Sequence, residues 1–305
     1  MIARVTSFFV ALEVLGYFVL GMLLVQRWQV DGSQVAAIII SLWIVARVAM
    51  ALPTFIVATA CRIRARAPIV NRDILIAQVK ETFAKPYFYT IAQPFERWIM
   101  GPDPRPAGAS ALPVLLVHGY LCNRGVWQFL RGALSKRLPN PLFTINPEPP
   151  FARIDDYVPQ LEARIREIFA EAGSTAIIIV AYSMGGLVAR ACLARGGEEG
   201  RRIMKLITLA SPHHGTQLAT FAFGDNAREL RCDGGWLAQL AAQERARPIT
   251  IPVASIYAEN DDIVYPPESA RLPGARNVPL AAIGHMSLLV SSRVAALITE
   301  EIRAA

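Results

Sequence analysis

Charge is scarce in this chain. Asp, Glu, Lys and Arg make up 18% of its 305 residues, against 53% hydrophobic residues. An ordinary soluble domain is about one quarter charged, so part of the chain is not expected in water. Cysteine and histidine are also few. Cys61, Cys122, Cys192 and Cys232 lie far apart, and there are 4 histidines in all. That excludes a zinc motif and reads as thiols of a reducing compartment. No internal repeat and no low-complexity tract occurs. The net charge is +7, but the 31 basic residues are scattered rather than gathered into a stripe. A nucleic-acid partner is therefore not expected. Much of the excess sits in one arginine cluster just after a long apolar run, which points to a membrane surface.

What is abundant is apolar sequence at the amino end. Val5 to Val25 is broken only by Glu13, and Val35 to Ala60 only by Arg47. Each run is long enough to cross about 30 Å of hydrocarbon as a helix. Between them lies the short polar turn "QRWQVDGSQ", with Trp28 placed for an interface. The first run is longer than the core of a cleaved signal peptide, and no small-x-small site follows it. Residues 1–61 are therefore expected to form a two-helix membrane hairpin. Arg62, Arg64, Arg66, Arg72 and Lys80 follow the second run, whereas the hairpin loop carries Arg27 alone. The positive-inside rule then puts both ends, and the rest of the chain, on the cytoplasmic side of the membrane. A hairpin centred near residue 30 sets Glu13 and Arg47 at one depth. A charge within a membrane is costly unless paired, so an interhelical ion pair between them is expected.

Residues 62–111 read as a basic and amphipathic connector that either lies on the bilayer or packs on the core, ending in the linker "GPDPRPAGAS". From residue 112 to 305 the pattern is α/β. "PVLLV", "LFTINP", "AIIIVA", "IMKLITLA", "ITIPVASIY" and "ARNVPLAAI" are short apolar strands separated by helical stretches. Continuous apolar strands alternating with helices imply a mostly parallel sheet covered on both faces.

One corner of that pattern carries chemistry. In "IIIVAYSMGGLVAR" a buried strand turns into a helix at Ser183. Ala181 and Gly185 lie two residues to either side and Gly186 follows, so strand and helix can approach closely. Such a corner forces the serine into a strained conformation with its hydroxyl projecting from the carboxyl edge of the sheet. The helix start adds N–H groups and a positive dipole end, which suit a developing oxyanion. A serine hydroxyl needs a histidine to take its proton and a carboxylate to orient that histidine. In the order Ser, acid, His, His213 and His214 precede every good acid candidate, whereas His285 in "AIGHMSLL" follows "SIYAENDDIVYPP", which offers Asp261 and Asp262. The usual form, Asp, one variable residue, a β-branched residue and then Val, selects Asp261 and leaves Asp262 as a loop cap.

The segments "VHGY", "AYSMGG", "TLASPHHGT", "SIYAENDDIV" and "GARNVPLAAIGHMSLL" together resemble the bacterial lipases of α/β-hydrolase fold, most closely the small triacylglycerol lipases with A-x-S-x-G at the serine. The resemblance spans about residues 112–303. It implies hydrolysis of carboxylic esters through an acyl-enzyme, with Ser183, His285 and Asp261 as triad. The backbone N–H groups of Tyr120 and Met184 would hold the oxyanion, and no cofactor or metal is expected. His118, His213 and His214 are expected to be structural. A thioesterase or acyltransferase would share the layout, and a non-catalytic membrane-anchored binding protein is the reading from another class. Residues 219–248 are expected to form a lid over the acyl pocket that includes Leu230, Trp236 and Leu240. The hairpin departs from the secreted lipases, so their extracellular habit does not carry over. It instead suggests an acyl lipid as substrate and, in a bacterium, the inner membrane as location.

Overall fold

The computed structural model describes residues 1–104, 111–232 and 234–305. The amino end forms helix α1 (Ile2–Trp28), which ends with Gln29 in the left-handed conformation, and α2 (Gly32–Ala49), capped by the Asp31 carboxylate on the Ser33 N–H at 2.8 Å. Both helices point Phe8, Phe9, Phe18 and Val45 outward. By length and composition both apolar stretches suffice to cross a membrane. The second is not one uninterrupted helix, however. It breaks at Met50 and Ala51 and resumes as α3 (Leu52–Arg64). The cause is Pro53, which has no N–H to give to the preceding turn.

Glu13 and Arg47 meet across the hairpin, with Nη2 2.6 Å from Oε2. The Tyr17 hydroxyl donates to the same carboxylate at 2.8 Å, and the guanidinium lies 5.3 Å from the centre of the Trp43 ring. Removing one partner leaves a charge without compensation in a poorly solvated place. The expected result is that Glu13→Gln and Arg47→Gln each lower the thermal midpoint of the detergent-solubilised protein by several degrees. The double variant should be no worse than the worse single, and simple additivity would mean that the groups do not act as a pair.

Residues 72–100 pack on the core rather than lying apart from it. They form α4 (Arg72–Tyr87), a π-helical turn over Phe88–Ala92 and α5 (Glu96–Met100). Ala84, Phe88, Ala92 and Met100 are buried in the main apolar cluster. Asp103 of the expected linker is tied to the core by Arg164 at 2.9 Å and the Thr144 N–H at 2.8 Å. Positions 105–110 of that linker lie outside the described residues.

The sheet has six parallel strands in the order β2-β1-β3-β4-β5-β6. These are β1 (Val114–Val117), β2 (Leu142–Ile145), β3 (Ile177–Tyr182), β4 (Ile203–Leu209), β5 (Val253–Ala258) and β6 (Arg276–Leu280). Alternate side chains face opposite sides. Val114, Leu116, Ile178 and Val180 join one apolar cluster with α6 (Gln128–Ser135) and α12 (Ser292–Arg303). Leu115, Val117, Ile177 and Ile179 join the other with α7 (Ile154–Ala172) and α8 (Met184–Arg195). Two covered faces explain why the strands read as continuous apolar runs. Short α9 (Glu198–Arg201) leads from α8 into β4.

Between β4 and β5 lie a 3-10 turn over Gln217–Phe221, α10 (Asp225–Glu229) and α11 (Gly235–Ala246). The expected lid residues separate here. Leu230, Trp236 and Leu240 all pack into the core cluster that contains α8, and of the three Leu230 also lines the cavity described below. Arg190 of α8 grips Glu244 of α11 with two bonds of 2.8 and 2.6 Å, which fixes that helix to the core.

Candidate active site

All six strands run the same way, so the loops after β1, β3, β4, β5 and β6 gather along one edge. The register sets Val117 beside Ala181, Ala181 beside Thr208, and Leu209 beside Ile256. Ser183 stands at the middle of this edge, between β3 and α8. Its φ of 55° and ψ of −127° are strained for a residue with a side chain. The Ser183 N–H donates to Leu209 O at 2.8 Å, which pins the corner to β4.

The flanking glycines have a steric reason. A Cβ on Gly185 would lie 2.6 Å from Val117 O and 2.7 Å from His118 O. A Cβ on Gly186 would collide with Ser211, and one on Gly119 would lie 2.7 Å from the Ser183 Cβ. The loop after β1 is thus laid directly against the serine. Ala181, where many such corners carry glycine, is fully buried inside the sheet and fits without strain.

Three of the expected residues come together. His285 Nε2 is 3.1 Å from Ser183 Oγ, and His285 Nδ1 is 2.8 Å from Asp261 Oδ2. The other oxygen of Asp261 accepts from the Ile263 N–H at 2.8 Å and the Val264 N–H at 2.7 Å. The loop's own backbone therefore aims the carboxylate. Burial pushes the His285 imidazole toward the neutral form, but the Asp261 charge and hydrogen bond outweigh it, and the pKa rests above 6.5. The Tyr182 ring lies 4.9 Å from the imidazole centre to centre, and its hydroxyl reaches Met286 Sδ at 3.1 Å.

The two expected backbone donors stand on the same edge. Met184 opens α8, so its N–H has no acceptor within that helix. Among the described residues the Tyr120 N–H finds no intramolecular acceptor. The Tyr120 side chain has a second connection that sequence reasoning missed. Its hydroxyl donates to Phe223 O at 2.7 Å and accepts from the Phe223 N–H at 3.2 Å, tying the loop after β1 to the segment after β4.

The other histidines stand outside this hydrogen-bonded run. His118 Nδ1 is 3.0 Å from Gly119 O, and burial pushes its pKa down to about 4. His213 is held between Thr208 Oγ1 at 3.1 Å and Arg190, and burial with the Arg190 charge keeps it well below 6.5. His214 is exposed, with its N–H on Ser269 O. Among the described residues no group of three or more His, Cys, Asp or Glu is placed to hold a metal ion.

Asp262 is not a simple loop cap. Its Oδ2 pairs with Lys85 Nζ and accepts from Thr54 Oγ1 at 2.6 Å. Lys85 also bonds to Thr54 and lies 3.7 Å from Glu81. Glu81 accepts from the Ser287 N–H at 2.7 Å, and Lys80 donates to Ala282 O at 2.8 Å. Helix α4 thus clamps both the loop that carries Asp261 and the loop that carries His285. In the sequence Glu81 and Lys85 are an ordinary i,i+4 pair, and that spacing alone does not say whether the pair faces water or the core.

A cavity of about 300 Å³ opens over Ser183 and His285. Leu218, Ala219, Phe221 and Ile263 give it an apolar lining, and Pro53, Thr54 and Val57 of α3 close one side.

A family model described as a PGAP1-like alpha/beta domain matches residues 152–281. That stretch contains Ser183 and Asp261 and ends just before His285. Among solved structures the chain is similar to the Bacillus licheniformis lipase BlEst2 in mature form. The two are 21% identical with a TM-score of 0.57, over 66% of this chain and 95% of that one. It is also similar to Aspergillus fumigatus lipase B, at 19% identity and a TM-score of 0.58, over 66% of this chain and 55% of that one. Among curated proteins no sequence match is found. These likenesses, with the parallel sheet and its crossovers, give the chain the α/β-hydrolase fold.

Proposed function

We propose that the chain is a serine hydrolase that cleaves the carboxylic esters of acyl lipids at a membrane surface. The observation that carries this reading is the hydrogen-bonded run from Ser183 Oγ through His285 to Asp261, at 3.1 and 2.8 Å, on the floor of an apolar cavity. With Asp261 holding the proton on Nδ1, Nε2 is left as the base. Ser183 Oγ attacks the acyl carbon as its proton passes to Nε2. The N–H groups of Tyr120 and Met184 hold the negative oxygen of the tetrahedral intermediate. The imidazolium, steadied by Asp261, protonates the leaving alcohol, and the acyl group stays on Ser183. A water then gives its proton to Nε2 and attacks the acyl-enzyme. The acid leaves and Ser183 recovers its proton. No step calls for a cofactor.

Residues 1–61 anchor the chain as a membrane hairpin, 62–111 join it to the hydrolase domain, and 112–305 carry the triad. Arg62, Arg64, Arg66, Arg72 and Lys80 favour the cytoplasmic face for that domain. An enzyme held at a bilayer gains access to a substrate dissolved in it, which a water-soluble ester would not need.

The test is hydrolysis of p-nitrophenyl esters of increasing acyl length by detergent-solubilised full-length protein, with Ser183→Ala beside it. Turnover that favours long chains and is lost in the variant supports the lipid reading. Preference for acetate or butyrate reduces it to a general esterase. Turnover of acyl thioesters alone makes the chain a thioesterase. No turnover, with no labelling of Ser183 by a fluorophosphonate, removes the enzymatic reading.

A further inference from the structure

We infer that α3, the last segment of the amino-terminal hairpin, is a fixed wall of the acyl site, and that Val57 sets which acyl chains reach Ser183. The inference rests on the ester-hydrolase reading and assigns the specificity of the same site. Pro53, Thr54 and Val57 line the cavity that contains Ser183 and His285. Ala58 and Cys61 continue that buried face. The spacing 54, 57, 58, 61 is one side of a helix.

The opposite side of α3 is also apolar but faces outward, with Ile56 61% exposed and Leu52 and Ile63 exposed as well. A helix with one apolar face on a cavity and another outside belongs between a binding site and a hydrocarbon phase. Its position in the chain agrees. Gly32–Arg64 is 33 residues of nearly continuous helix, about 50 Å at 1.5 Å per residue. That exceeds the hydrocarbon core of a bilayer by about 20 Å, and the surplus is α3, which lies on the hydrolase domain.

The wall facing α3 repeats the pattern. The 3-10 turn over Gln217–Phe221 lines the cavity with Leu218, Ala219 and Phe221, and at its outer end Phe221 is 65% and Phe223 80% exposed. The mouth therefore has apolar rims on both sides, and the ligand that fits is the acyl chain of a bilayer lipid entering from the membrane. Thr54 bonds to Asp262 and to Lys85, so α3 is held to the acid loop. A fixed wall makes the side chain at position 57 a determinant of pocket length.

The experiment compares kcat/KM for p-nitrophenyl myristate and p-nitrophenyl butyrate in full-length wild type, Val57→Trp, Val57→Ala and, on the outward face, Ile56→Trp. Fluorophosphonate labelling of Ser183 counts active sites in each. Per labelled site, Val57→Trp is expected to lower the myristate-to-butyrate ratio by at least about tenfold, the low end of what one methylene is worth in a pocket. Val57→Ala should hold or raise it, and Ile56→Trp should change it less than about twofold. Equal losses on both esters in Val57→Trp, or an unchanged ratio in both position-57 variants, would overturn the wall while leaving the hydrolase reading intact. A wild type that neither turns over any ester nor takes the label would overturn both.

Discussion

Ser183→Ala is expected to lose about 10⁶ in kcat on any ester the wild type turns over, and Asp261→Asn about 10⁴. The two losses differ because the residues do different things. In the proposed reaction Ser183 Oγ is the atom that bonds to the acyl group, and it is the hydroxyl that His285 Nε2 reaches. Asp261 acts through His285, by fixing the tautomer and by compensating the imidazolium. Asparagine in its place can turn its amide toward Nδ1 and hold the wrong tautomer. Asp262→Asn provides the internal comparison. Asp262 faces Lys85 and Thr54, not His285, so its loss should appear in thermal stability and not as a loss of about 10⁴ in kcat. Equal kcat losses for the two aspartates would sink the assignment of the acid.

The pH profile adds a sign. His285 must be neutral to act as base, and its pKa is held above 6.5 by Asp261. The kcat/KM of the wild type should therefore rise with pH through a limb above 6.5. In Asp261→Asn burial remains and the charge is gone, so the limb should move to lower pH. A limb that stays in place would mean that another group sets it.

Much of the site is legible in the sequence because its demands are local. A serine between Ala181 and Gly185, after four β-branched residues, can be read as a strained corner with no knowledge of distant segments. The order of Ser183, Asp261 and His285, each just after a strand, follows from parallel strands whose loops share one edge. Even Glu13 and Arg47 are legible, since a hairpin maps sequence symmetry onto depth. What is not legible depends on contacts across long separations. Lys85 meets Asp262, and Glu81 meets the Ser287 N–H, across far more chain than any periodicity covers. Pro53 announces a break in the second apolar run, but not that the helix beyond it settles on the active-site cavity. The stretch 219–248 shows the same limit. Apolar residues on short helices look alike whether they pack on the core alone, as Trp236 and Leu240 do, or also reach a pocket, as Leu230 does.

Lys85→Met, in the helix clamped on the hydrolase domain, should be the most destabilising single change outside the apolar core. Lys85 is buried between two carboxylates, in contact with Asp262 and 3.7 Å from Glu81. Methionine keeps the stem and removes the charge, which leaves both acids without a cation. Breaking a buried pair in this way costs about 3–5 kcal/mol. In a domain of this size that corresponds to a fall of roughly 10–15 °C in the thermal midpoint. The loss should also depend on pH. Burial and the Asp262 charge already raise the Glu81 pKa to about 7, against the Lys85 charge and the Ser287 hydrogen bonds, which hold it down. A carboxyl whose folded pKa lies above its unfolded value keeps its proton better in the folded state, so stability falls as pH rises from the unfolded value through the folded one. Without Lys85 the folded value rises further, and the deficit of the variant should be larger at pH 8 than at pH 6. Lys85→Met with Asp262→Asn should recover part of the midpoint, because one of the two stranded charges is gone. If Lys85→Met shifts the midpoint by only a degree or two at both pH values, α4 does not clamp the acid and base loops through this network. The alignment of Asp261 with His285 would then rest on the contacts that do not need Lys85, the Ile263 and Val264 amides first among them.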